Sequence, residues 1–160
     1  MVASGSMSPK RLLALWFVLL AALAVSACSF VETTPPAPTP ADFQDTAIQL
    51  TQHGVTLDHV VSGDAGCDDK VLAPTAIAFD ASGLDQPSTV RVYLYIFNNR
   101  GAFERLRATI DDCARNFVTD PETYESLEQS PFVIVGQGPW GPNFKAALRS
   151  GLEVAAGTGG

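Results

Sequence analysis

The sequence predicts an α+β domain: a mainly antiparallel sheet of about four strands, with helices packed chiefly on one face and one disulfide. Two observations lead there. Segments with apolar residues at helical spacing and runs of period two follow one another in the order helix, strand, strand, strand, helix, strand, helix. The strongest of the runs, Thr89 to Phe97, is largely apolar on both sides, as a central strand is.

From Asp42 to His53, Phe43, Ala47, Ile48 and Leu50 recur at helical spacing, and Gly54 follows as a stop. Val55 to Val61 sets Val55, Leu57, His59 and Val61 against Thr56, Asp58 and Val60, which reads as a strand with His59 turned inward. The turn Ser62 to Gly66 leads to Cys67. Pro74 to Asp80 is a second strand, and Gly83 with Asp85-Gln86-Pro87 makes the turn before the third. That third strand, Thr89 to Phe97, puts Val90, Val92, Leu94 and Ile96 on one face and Arg91, Tyr93, Tyr95 and Phe97 on the other.

Asn99 to Asn116 reads as a helix with Phe103, Leu106, Ile110 and Cys113 on its apolar stripe. Thr119-Asp120-Pro121-Glu122 carries turn and capping chemistry, so Glu122 to Gln129 reads as a short helix. Phe132 to Val135 is a short buried strand. Pro142 opens the last helix, whose inner stripe is Phe144, Ala147, Leu148, Gly151, Leu152 and Ala155. The domain so defined covers residues 41–156, and the glycine-rich 157–160 reads as a frayed tail.

Before the domain the composition changes. Lys10 and Arg11 precede an almost uninterrupted apolar run from Leu12 to Val25, a signal-peptide pattern over residues 1–27, with Met7 as a second candidate start. The run is shorter than the ~20 residues that cross a bilayer comfortably, and it ends in small residues. Its end, Val25-Ser26-Ala27-Cys28, resembles the lipobox of bacterial lipoproteins. The resemblance covers the leader only, and implies a lipid thioether on Cys28, cleavage after Ala27 and stable anchoring by two or three acyl chains. Residues 28–40 then form a stalk with Pro35, Pro36, Pro38 and Pro40, extended and unable to build a core.

With Cys28 lipidated, Cys67 and Cys113 remain as an even pair in a compartment that permits disulfides, and they are expected to bond. All 17 acidic residues and all basic residues except Lys10 and Arg11 follow Cys28, a formal balance of −9 for the processed chain against −7 for the whole. Such a surface repels nucleic acid, and it leaves attachment to the membrane to the lipid.

Asp64, Asp68 and Asp69 could hold a hard cation, but their spacing does not match a calcium loop, and a solvated acidic turn is the simpler reading. No cofactor is implied. His53 and His59 are the two histidines available for acid-base work, and no nucleophile elbow or metal-binding helix accompanies them. Two features suit a binding surface instead. One is the aromatic face of Tyr93, Tyr95 and Phe97, unless a helix covers it. The other is the loop Gly136 to Pro142, where Gln137 and Trp140 stand before a helix N-terminus that could receive an anion.

These features read as an envelope lipoprotein, held on the outer side of the cytoplasmic membrane or in the outer membrane. Its single domain is expected to bind a small molecule or another envelope protein without catalysing a reaction. A small extracytoplasmic hydrolase or metal-dependent enzyme is the alternative.

Overall fold

A computed structural model describes residues 40–157. The leader, Cys28, the stalk before Pro40 and residues 158–160 lie outside the described residues. The elements are α1 (Pro40–Gln52), β1 (Thr56–Ser62), β2 (Ala76–Gly83), β3 (Gln86–Ile96), α2 (Arg100–Ala114), β4 (Tyr124–Gln129), β5 (Phe132–Gln137) and α3 (Pro142–Ala155). The strands form one antiparallel sheet in the order β1-β2-β3-β5-β4. The α+β class and the disulfide are as the sequence predicts, with five strands rather than about four.

The sheet has a buried layer on each side. On one, α1 and α3 cover Ile77, Phe79, Val92, Leu94, Leu127 and Ile134 with Phe43, Leu50, Phe144, Leu148 and Leu152. On the other, Ile110 and Cys113 of α2 cover Ala78, Tyr93, Tyr95, Val133 and Val135. Both faces of β3 are therefore enclosed, which its apolar character on alternate positions anticipates. Each large side chain sealed in this way contributes roughly 1.5–3 kcal/mol of burial.

The helices form where their stripes need a partner. α1 ends at Gly54, whose φ of +90° suits the reversal into Val55. Asn99 caps α2 by accepting the Ala102 N–H at 2.8 Å. On α3, Gly151 faces α1 so closely that an added Cβ would lie 2.7 Å from Leu50 Cδ2. Only a glycine permits that approach.

Two expectations give way. Residues 124–129 are strand β4, not a helix. Asp120 does accept the Glu122 N–H, but the turn it starts stops after the 3₁₀ segment Pro121–Thr123. Past that point Leu127 is the one buried residue, too little for a helical stripe, while alternation against β5 lets the segment pair over its whole length. His59, in turn, does not look inward. The β1 register slips between Asp58 and Val61, His59 adopts a φ of +47°, and its side chain is 73% exposed. The bulge re-aims the residue that strict alternation would have buried.

Candidate binding surface

The aromatic face predicted from β3 exists and is covered. Tyr95 is fully buried and its hydroxyl donates to the Ala65 carbonyl at 2.7 Å. Burial pushes its phenol pKa up, so it remains a neutral donor. Phe97 packs edge-on against Phe103 of α2 at 5.9 Å between centroids. Tyr95 and Phe97 thus form core rather than a binding surface, because the α2 stripe needed an apolar face and this was the one available.

The disulfide Cys67–Cys113, with Cα atoms 5.5 Å apart, ties the loop after β1 to the same layer. Within that loop Asp64 accepts the Gly66 N–H at 2.9 Å and an Arg91 Nη2 bond at 3.1 Å. Asp69 accepts the N–H groups of Val71 and Leu72. Asp68 is exposed. Asp64 and Asp69 thus brace their own loop, and among the described residues no three His, Cys, Asp or Glu side chains gather as a metal site.

Trp140 is not an exposed anchor. It is 4% exposed in the layer under α3, its Nε1 donates to the Gln137 carbonyl at 3.1 Å, and its ring meets Phe144 edge-on. The helix N-terminus beside it is already filled. Asp85, in the β2–β3 turn, accepts the N–H groups of Asn143 and Phe144 at 2.9 and 2.8 Å. Gln86 accepts that of Gly141. The donors that the sequence offers to an external anion go to the protein's own carboxylate.

Tyr93 and Gln137 do come together. With Arg91, Phe117 and Gly138 they line a recess of about 300 Å³. Tyr93 and Phe117 lie 4.3 Å apart between centroids, and the Arg91 guanidinium stands 5.9 Å from the Tyr93 centroid. The polar groups here are engaged. Arg91 bonds Asp64, Asp80 and the His59 carbonyl, while Gln137 accepts from Thr119 and donates to the Thr123 hydroxyl. His59 itself has its Nδ1 3.2 Å from Asp80 and 3.5 Å from Asp58, on the rim of the sheet and outside the recess.

A larger groove, about 520 Å³, lies between α2, the segment after it and the start of β4. Ala114, Val118, Pro121 and Tyr124 supply its apolar walls, and Arg107, Asp111 and Arg115 its charges. Arg107 donates to Asp111 at 2.6 Å, to Ser126 Oγ at 3.0 Å and to Glu128. The Tyr124 hydroxyl donates to Asp111 at 2.8 Å. Burial first, then the bond to Asp111, pushes the Tyr124 phenol up. For Arg107 burial acts to lower the pKa, and its bonds to Asp111 and Glu128 outweigh that and raise it. The groove therefore holds a charged but internally neutralised floor.

Sequence reasoning missed the groove. Its signal was the off-stripe series Arg107, Asp111 and Arg115, spaced four apart along α2 and its C-cap. That pattern alone reads as an ordinary solvated face; the groove also needs Tyr124 opposite it, which requires β4 to be a strand. Comparison with known proteins finds no matching family model, no matching curated protein and no matching solved structure.

Proposed function

We propose that the chain is a bacterial envelope lipoprotein, anchored through a lipid on Cys28, whose domain binds a ligand or another envelope protein without catalysing a reaction. The groove between α2 and β4 is its binding surface. The observation that carries this reading is the state of the groove's ionisable groups: Arg107 and Tyr124 both donate to Asp111 beside the apolar walls, and Arg115 pairs with Asp112. Such a site offers shape and apolar area. General acid-base work would instead ask for a group poised to give or take a proton.

The lipobox resemblance supports the anchor, and the disulfide fits the oxidising side of a membrane. Anchoring is tested by metabolic labelling with an alkyne fatty acid. The wild type takes up label and Cys28→Ser does not; equal labelling of both would end the lipoprotein reading. Binding in the groove is tested with the neutral dye Nile red on the full chain in a non-ionic detergent below its micellar concentration. Fluorescence rises with the wild type and falls back with Val118→Lys, which places a charge on the groove wall; an unchanged signal removes the groove as the binding surface.

A further inference from the structure

Resting on that reading, we infer that the groove between α2 and β4 takes an uncharged apolar alcohol, its chain against Val118, Pro121 and Tyr124 and its hydroxyl donating to Asp111. The volume suits such a molecule. At about 520 Å³ the groove falls inside the range of roughly 300–1,000 Å³ that small-molecule sites occupy.

Asp111 is the polar centre of the lining. Its Oδ1 accepts from Arg107 Nη1 at 2.6 Å and from the Tyr124 hydroxyl at 2.8 Å, while Oδ2 takes no hydrogen bond among the described residues. The groups around it are committed. Tyr124 spends its single proton on Asp111, and burial keeps that phenol protonated. Arg107 directs Nε to Glu128, Nη1 to Asp111 and Nη2 to Ser126 Oγ. What the site has to spare is an acceptor beside apolar walls, and a hydroxyl proton matches it.

A charged head of either sign fits less well. The two guanidinium groups of the lining are already matched by three carboxylates, Asp111 and Glu128 on Arg107 and Asp112 on Arg115. An anion could turn only to Arg115, whose side chain is 81% exposed, so that exchanging one carboxylate for another there gains little. It would also stand beside Asp111 and Asp112, at the partially negative carbonyl end of α2 that forms this wall. A cation meets the opposite obstacle. Arg107 and Arg115 lie four residues to either side of Asp111, along one row of the helix and its cap. Either ion gives up water for apolar surroundings without a partner reserved for it, which an alcohol avoids by exchanging one hydrogen bond for another.

The test is displacement of Nile red from the full chain, in the detergent conditions given above, by four probes of one chain length. These are octanol, octanoate, octylammonium and octyl methyl ether, compared at neutral pH. Octanol is expected to displace the dye at a concentration about tenfold lower than any of the other three. Octanoate or octylammonium matching octanol would overturn the preference for an uncharged ligand. The ether matching it would overturn the hydrogen bond to Asp111. Nile red held in the groove, lost in Val118→Lys yet untouched by octanol, would reject this inference and spare the broader reading. No dye response in the wild type removes both.

Discussion

Asp85 reaches across from the β2–β3 turn to accept the N–H of Phe144 at 2.8 Å, so a residue 59 positions away caps helix α3. The bond from Asn143, first, and that from Phe144 hold the Asp85 carboxyl below its ordinary value of 3.8 against a smaller opposing effect of burial. A folded value depressed in this way adds stability that is present above pH 3.8 and is lost as pH falls through the lower folded value. Asp85→Ala is expected to lower the melting temperature at neutral pH and to speed exchange of the Asn143 and Phe144 amides. The gap between wild type and variant should close on acidification; a gap that stays constant down to full protonation would show that the cap is not electrostatic.

The disulfide closes a loop between positions 46 apart in the sequence. In the chain-entropy account that constraint contributes roughly 4 kcal/mol. Reduction, or Cys67→Ser with Cys113→Ser, should lower the denaturation midpoint by an amount corresponding to about 2–4 kcal/mol, read by chemical unfolding. The intact oxidised protein should gain two mass units on reduction. A chain with no such gain carries free thiols.

Gly66 and Gly63 make a matched pair. Both have positive φ, +74° and +81°, but an added Cβ at Gly66 would lie 2.5 Å from Phe117 Cδ1 and 2.9 Å from Tyr93 Cε1, whereas at Gly63 nothing stands within 4 Å. Gly63→Ala should cost about 1 kcal/mol for its backbone alone. Gly66→Ala should add about 1–3 kcal/mol of overpacking. Equal costs would mean that the loop is free to move away from the aromatic pair.

Arg107 joins α2 to β4 through Glu128 and Ser126. Its side chain is 20% exposed and that of Glu128 45%, so solvent screens part of the attraction. A double-mutant cycle of Arg107→Met and Glu128→Gln should give a coupling of about 0.5–1 kcal/mol, weakening in high salt. A coupling indistinguishable from zero at low salt would reduce the pair to an incidental contact.

Much of the fold was legible because burial has a period. The alternation of β3 and the stripes of α2 and α3 state which side chains turn inward, and the structure puts Val92, Leu94, Tyr95, Ile110 and Leu148 in the core accordingly. Strand β4 was not legible for the opposite reason. Its one core side chain is Leu127, and its strand character depends on β5, a partner that local pattern does not contain. His59 was misplaced because a bulge is a change of phase, invisible to a rule that assumes constant phase.

The candidate site followed the same division. Tyr93 and Gln137 do share a recess, but Trp140, Tyr95 and Phe97 were singled out by type, and aromatic side chains are more often core than contact. The groove was built from residues that look ordinary one at a time. Arg107 and Tyr124 acquire meaning only when a helix and an edge strand bring them to one acidic carboxylate, Asp111.

The unequal borders of the sheet have a consequence for assembly. A sheet receptive along both sides can relay growth from molecule to molecule and end as a fibre. Here the bulge at His59 interrupts one side, so among the described strands only the β4 side presents a regular, unshifted edge. Among the described residues such a molecule has no second regular edge through which copies could thread into a filament.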